Sequence, residues 1–240
     1  MEVKPIFLVL ADISGYTKFI KVHKVSLIHA EHIIDELLES VIREASLPLV
    51  VHELEGDAVT FYAQSDGRRE TAREVARQVE GFFEAFRKRE HELISECSMC
   101  VCDACTTVGR LKLKAIVHHG EAVFTRVHQF QKVSGEDVIL AHRLLKNSVP
   151  KNEYLLVTRA FHQLGGGLDG RIPEPRTEHC EGLGEVDVMV YYPQTEADTV
   201  PAPASLGAKL KMVAKLEGLH LKRLIWPAAK RYPNLDAVQQ

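Results

Sequence analysis

Residues 7–17 read Phe7-Leu8-Val9-Leu10-Ala11-Asp12-Ile13-Ser14-Gly15-Tyr16-Thr17. Phe7 to Ala11 form a short apolar run of the buried-strand kind. Asp12 stands where that strand ends, Ser14-Gly15 makes a turn, and a long helical pattern follows. A strand–turn–helix junction suits an anion, because the first N–H groups of a helix lack internal partners and its dipole favours negative charge. A carboxylate beside a phosphate cradle makes sense when a cation lies between them. The stretch therefore implies a divalent metal with a polyphosphate ligand. The plainer alternative is that Asp12 only begins a turn before a helix.

The rest of the composition bounds the class. The chain has 240 residues, 45% of them hydrophobic and 26% charged, which suits one large globular domain or a domain with an appendage. A formal net charge of -3 gives no global basic field and argues against a nucleic-acid partner. No apolar run reaches the roughly 18 residues of a membrane span, and Met1–Pro5 does not resemble a signal peptide. A cytoplasmic protein is the expectation.

Outward from the opening stretch, Tyr16 to Ala45 reads as a helix, with Ile33, Ile34, Leu37, Leu38, Val41 and Ile42 at helical spacing. His29 and His32, three apart, would share a face of it and could share a metal, although surface histidines are commoner. Leu49 to Tyr62 reads as two β-rich runs around Glu55-Gly56-Asp57, a hairpin with a second carboxylate at its tip. Gly67 to about Glu96 is a second amphipathic helix whose Phe82, Phe83 and Phe86 belong to the core. Leu111 to His119 is predicted as a strand turned by Gly120-Glu121, with Ala122 to Val127 as its hairpin partner. Val133 to Leu145 begins a helix, with Ser134 as cap. Tyr154 to Thr158 is a strand, Arg159 to Leu164 a short helix and Glu185 to Tyr192 a final strand. The order implies an α+β sandwich with a βαββαβ core and extra elements, which would bring Asp12 and Asp57 together.

Four of the five cysteines, Cys97, Cys100, Cys102 and Cys105, lie within nine residues. Two C-x-x-C units can grip a tetrahedral metal, so this insertion is a candidate structural zinc site. Only one residue separates the pairs, far fewer than in common zinc ribbons, which leaves other metal or redox use and unligated buried thiols as alternatives. Residues 194–206, rich in Pro, Ala and Thr, read as a linker after a domain spanning 1–193. The 207–240 tail interleaves Lys209, Lys211, Lys215, Lys222, Arg223, Lys230 and Arg231 with Leu210, Val213, Leu216, Leu219, Leu224, Ile225 and Trp226. Such a basic amphipathic segment would meet a membrane surface or a protein partner, or pack on its own domain or a dimer mate.

Taken together, residues 5 to 193 resemble the catalytic domain of class III nucleotidyl cyclases, in a bacterial branch that carries the cysteine cluster. Asp12-Ile-Ser-Gly-Tyr-Thr17 is similar to the family's first metal-Asp motif, and Glu55-Gly-Asp57 to the hairpin bearing the second. Lys114 to Gly120 resembles the Arg-x-Gly-x-His-x-Gly strand, with His118 retained. Gly135 to Leu144 resembles the Gly-Asp-x-Val-Asn-x-Ala-x-Arg-Leu helix. The resemblance implies conversion of a nucleoside triphosphate to a 3′,5′-cyclic nucleotide and pyrophosphate. It implies two Mg²⁺ or Mn²⁺ ions per site on Asp12 and Asp57, with backbone N–H groups of Ile13, Ser14, Gly15, Tyr16 and Thr17 on the β- and γ-phosphates. Arg143 would stabilise charge on the α-phosphoryl group. Lys114 would meet the terminal phosphates. The site would lie between two chains of a homodimer, Arg143 reaching across to the partner's metals.

The departures fall at the sugar and base end. The family's ribose-orienting Asn is Ile139, Ile116 replaces a usual Gly, and Lys114 replaces an Arg. The base-reading positions carry Glu53 and Lys132. An acceptor and a donor suit guanine's N1–H, amino group and O6, so GTP is the favoured substrate, although the two side chains could instead pair and close the pocket. The rival readings are a weak or inactive relative that binds nucleotide or a partner in regulation, and a metal- or redox-sensing module built on the cysteines.

Overall fold

The computed structural model describes residues 1–22, 27–193 and 204–225. Its centre is β1 (Glu2–Ser14), whose residues from Ile6 to Ala11 are all buried. The run is continuously apolar because both faces of the strand are covered. Side chains alternate across it: Phe7, Val9, Ala11 and Ile13 enter one core, Ile6, Leu8 and Leu10 the other.

On the first face lie α1 (Tyr16–Val22), α2 (Leu27–Glu44) and α3 (Arg69–Glu96). Both α1 and α2 lie within the predicted helix from Tyr16 to Ala45, and residues 23–26 between them are outside the described part. Ile33, Ile34, Leu37, Val75, Val79, Phe82 and Phe86 fill that core, as their helical spacing implies. On the second face lies α5 (Glu136–Leu144), whose Ala141 and Leu144 are buried. The short α4 (Asp103–Thr106) sits within the cysteine segment, and α6 (Arg159–Gln163) follows β6.

The hairpin around Asp57 is present as β2 (Val50–Glu55) and β3 (Ala58–Gln64), with Gly56 at φ +60° in the turn. The sheet runs β2-β3-β1-β4-β6-β8-β7, with β5 (Phe130–Ser134) paired to β4 (Lys112–Val127). The other strands are β6 (Tyr154–Thr158), β7 (Glu174–Cys180) and β8 (Gly184–Tyr191). β4 and β6 are parallel; the other pairings are antiparallel. This is the expected α+β fold with an eight-stranded sheet.

Three local expectations are corrected. Gly120-Glu121 does not turn the chain: β4 continues through it, and its hairpin partner is β5 rather than 122–127. Gly120 is needed for close approach instead, since a Cβ there would lie 2.3 Å from Asp137 Cγ. Asp137 takes that space to accept a 2.6 Å hydrogen bond from the Glu121 N–H and to meet His118 Nε2 at 2.9 Å, while His118 Nδ1 lies 2.9 Å from Thr158 Oγ1. The retained motif histidine thus ties β4 to β6 and to the first turn of α5. Ser134 does not cap α5; it ends β5, and Gly135 at φ +146° precedes the helix with no side-chain cap. The third correction is β7, which the sequence hides behind Pro175; a proline is tolerated there because β7 is an edge strand.

The tail forms α7 (Leu206–Ile225). Met212 and Leu216 are buried in the same core as α2 and α3, and Lys215 Nζ meets Glu36 Oε1 at 2.7 Å. Met212 and Leu216 of that helix are therefore used by the chain's own domain, whereas Leu210 is exposed. Lys230, Arg231 and Trp226 lie outside the described residues, as does most of the predicted linker. No described helix is long and apolar enough to cross a membrane.

Candidate metal–nucleotide site

The site begins with register. Asp12 pairs with Ala58 on one side and Lys114 on the other. The Ile13 N–H donates to the Asp57 carbonyl at 3.1 Å, which fastens the hairpin tip to the end of β1. Asp12 alternates with Ala11 and Ile13, so it projects on the α5 side of the sheet, as does Lys114 opposite it. Two carboxylates, one near the end of β1 and one in the β2–β3 turn, are thereby neighbours, as the sequence implied.

Electrostatics follow from that placement. Asp57 is half-buried, and burial followed by the negative charge of Asp12 raises its carboxyl from 3.8 to about 6. Lys114 Nζ lies 2.9 Å from Asp12 Oδ2 and donates to the Leu145 carbonyl at 3.1 Å. The basic residue predicted to meet phosphates therefore neutralises Asp12 here. Two adjacent carboxylates whose repulsion is only partly balanced by one ammonium form an oxygen donor set that suits Mg²⁺ or Mn²⁺.

The turn between β1 and α1 has Gly15 at φ +94°, a conformation that only glycine adopts cheaply. Ile13 cannot offer its N–H to an anion, because the Asp57 carbonyl takes it, and Ser14 is paired with Lys112 at the end of the β1–β4 ladder; the expected cradle shrinks to Gly15, Tyr16 and Thr17. Beside the turn is a cavity of about 560 Å³ lined by Gly15, Lys18, Arg110, Lys112 and Asn152 among others. Lys112 is held by the buried Glu90 at 2.7 Å. Lys18 and Arg110 are cationic neighbours of the turn that sequence reading missed; Arg110 lies 95 residues from Gly15, and no local pattern links them.

Arg143 does not join the Asp pair of its own chain. It is exposed on α5, 3.4 Å from Glu181, and with Glu55, Ile139, His142 and Lys146 it lines an open cleft of about 900 Å³. Ile139, one turn before Arg143, is 51% exposed. Glu53 and Lys132 are not brought together. Glu53 pairs with Thr60 on the α5 face, whereas Lys132 neighbours Val133, which packs into the α5-side core, so Lys132 points to the opposite face. No ion pair joins them.

The cysteines are grouped, with a change of membership. His29 Nδ1 lies 3.3, 3.6 and 3.9 Å from the sulfurs of Cys102, Cys100 and Cys105. Those four ligand atoms lie within 4.8 Å of one another, and Cys97 is not among them. His29 was paired in the sequence reading with His32, which instead lies 3.7 Å from Glu36.

Comparisons with known proteins agree with the fold. The structure matches that of the guanylyl cyclase Cya2 with a TM-score of 0.57 and 15% identity, covering 82% of this chain and 96% of that one. It matches the adenylyl cyclase CyaB from Pseudomonas aeruginosa with a TM-score of 0.56 and 12% identity, covering 82% and 98%. At such identities the likeness establishes a nucleotidyl cyclase fold and nothing finer. In sequence, the uncharacterized protein Rv2561/Rv2562 of Mycobacterium tuberculosis is 34% identical over 167 residues, which are 70% of this chain and 76% of that protein. The model of the family described as "Protein of unknown function (DUF2652)" matches residues 34–154, and the chain belongs to that family.

Proposed function

We propose that this protein binds a nucleoside triphosphate with Mg²⁺ or Mn²⁺ at Asp12 and Asp57, and converts it to a 3′,5′-cyclic nucleotide and pyrophosphate. The observation that carries the reading is the juxtaposition of the two carboxylates, with Asp57 raised to about 6 by burial and by Asp12. When bound, the metal supplies Lewis-acid charge for the attacking and leaving oxygens. The N–H groups of Gly15 to Thr17, with Lys18 and Arg110 nearby, favour the negative charge of the β- and γ-phosphates. Lys114 offers a cation that can move from Asp12 to phosphate once a metal neutralises the carboxylates.

Arg143 supplies its charge from a second copy of the chain. Its exposure in an open cleft, away from its own Asp pair, supports that assignment, and so does the apolar surface around it. Ile139 beside it on α5 and Val50 on the α5 side of the β2 edge are both exposed, as expected of a face covered by a homodimer partner. The neighbouring structures are a guanylyl and an adenylyl cyclase, so the fold does not choose the base. Of the two residues that favoured GTP, only Glu53 shares the face of the site.

A second reading, a nucleotide-binding regulatory module without turnover, is favoured by Ile139, whose side chain offers no hydrogen bond where the cyclase motif orients ribose. Incubation of the purified chain with each nucleoside triphosphate and Mn²⁺ or Mg²⁺, followed by chromatography for cyclic nucleotide, separates the two. Product lost in Asp57→Ala supports the cyclase; metal-dependent retention of nucleotide with no product supports the module. Product that persists in Asp57→Ala removes the metal assignment from both.

A further inference from the structure

We propose that His29, Cys100, Cys102 and Cys105 bind a structural Zn²⁺ ion, a site independent of the Asp12–Asp57 chemistry. A tetrahedral zinc with Zn–S of about 2.3 Å and Zn–N of about 2.0 Å requires N···S edges of about 3.5 Å. The three distances from His29 Nδ1, 3.3, 3.6 and 3.9 Å, bracket that value. All four ligand atoms lie within 4.8 Å of one another, so one ion can touch them all. Three soft sulfurs and one imidazole are a donor set for zinc rather than for Mg²⁺ or Ca²⁺. Four protein ligands close the coordination sphere, which marks a structural site and not a catalytic one.

Cys97 has a different role. It is 2% exposed, packs in the main core and lies outside the group of four ligand atoms. The ligand set thus takes one member from the first turn of α2 and three from the segment between α3 and β4. That segment consists of single short turns, a 3-10 turn at Cys97–Met99, α4 of four residues and a 3-10 turn at Val108–Arg110. An ion would supply what a short segment cannot gain from its own core. It would fix the chain immediately before Thr107, Gly109 and Arg110, which line the cavity beside Gly15.

X-ray absorption at the zinc edge of the full-length protein, purified under reducing conditions and supplied with one equivalent of Zn²⁺, tests the ligand set without any mutation. The expected fit is three sulfurs at about 2.3 Å and one nitrogen at about 2.0 Å. Elemental analysis after gel filtration is expected to give one zinc per chain, kept in Cys97→Ser and reduced at least tenfold in His29→Ala and Cys102→Ser. A four-sulfur fit, or zinc kept by His29→Ala and lost by Cys97→Ser, would overturn the assignment in favour of a four-cysteine site. A wild-type chain that retains no zinc, or whose cysteines form a disulfide under these conditions, would overturn it altogether.

Discussion

Metal binding at the Asp pair should depend on pH in a window set by Asp57. Its carboxyl is raised from 3.8 to about 6, and a metal must displace the proton. At pH 7 about nine-tenths of such a group is ionised, and at pH 5 about one-tenth, so Mn²⁺ affinity should fall about tenfold between them. A carboxyl of ordinary pKa would change affinity over that interval by less than about 10%. Calorimetric or electron paramagnetic resonance titration of Mn²⁺ at constant ionic strength reads the difference. The sign for stability is opposite. With a folded pKa above the unfolded one, the metal-free native state binds more protons between pH 3.8 and about 6. The stabilisation from protonation is therefore present at low pH and lost as pH rises through about 6. The shift corresponds to about 3 kcal/mol unscreened, and of order 1–2 kcal/mol for a half-buried group that water partly screens. Asp57→Asn should accordingly raise the metal-free melting temperature at pH 7 while weakening Mn²⁺ binding at least tenfold. Affinity that is flat from pH 7 to 5, or an Asp57→Asn variant less stable without metal, would refute the reasoning.

Other expectations follow from individual contacts. Gly120→Ala places a Cβ against Asp137 and should cost about 1–3 kcal/mol in urea denaturation, because Asp137 must leave His118 and the Glu121 N–H. Lys112→Met strips the partner from Glu90, which is 1% exposed, and should cost about 3–5 kcal/mol; adding Glu90→Leu should recover most of it. Leu216→Ala should cost about 2–5 kcal/mol, since α7 belongs to the core, and vesicle sedimentation should not distinguish it from the wild type.

How much was legible depended on whether a signal was local. β1, the Asp57 hairpin and the α2 and α3 stripes could be read because strand and helix periodicities persist over many residues. Their order sufficed to place Asp12 beside Asp57. Gly120 misled because a glycine followed by a charged residue looks like a turn, whereas its reason is the Asp137 carboxylate arriving from α5. β7 was missed because an edge strand can carry a proline and exposed charge. The association of His29 with the cysteines was invisible because it lies 71 to 76 residues from them. Glu53 and Lys132 match base-reading positions in a linear motif, but alternation along β5 sets the direction of Lys132, and the motif does not carry that alternation.

The central claim is that one catalytic site combines the Asp12–Asp57 pair of one chain with Arg143 of another. Mixing inactive Asp57→Ala and Arg143→Ala chains under conditions of subunit exchange tests it most directly. Random pairing makes about half of the dimers mixed, each with one intact site of two, so cyclic-nucleotide production should return to about a quarter of the wild-type rate. A mixture as inactive as its components, beside an active wild type, would contradict the shared site.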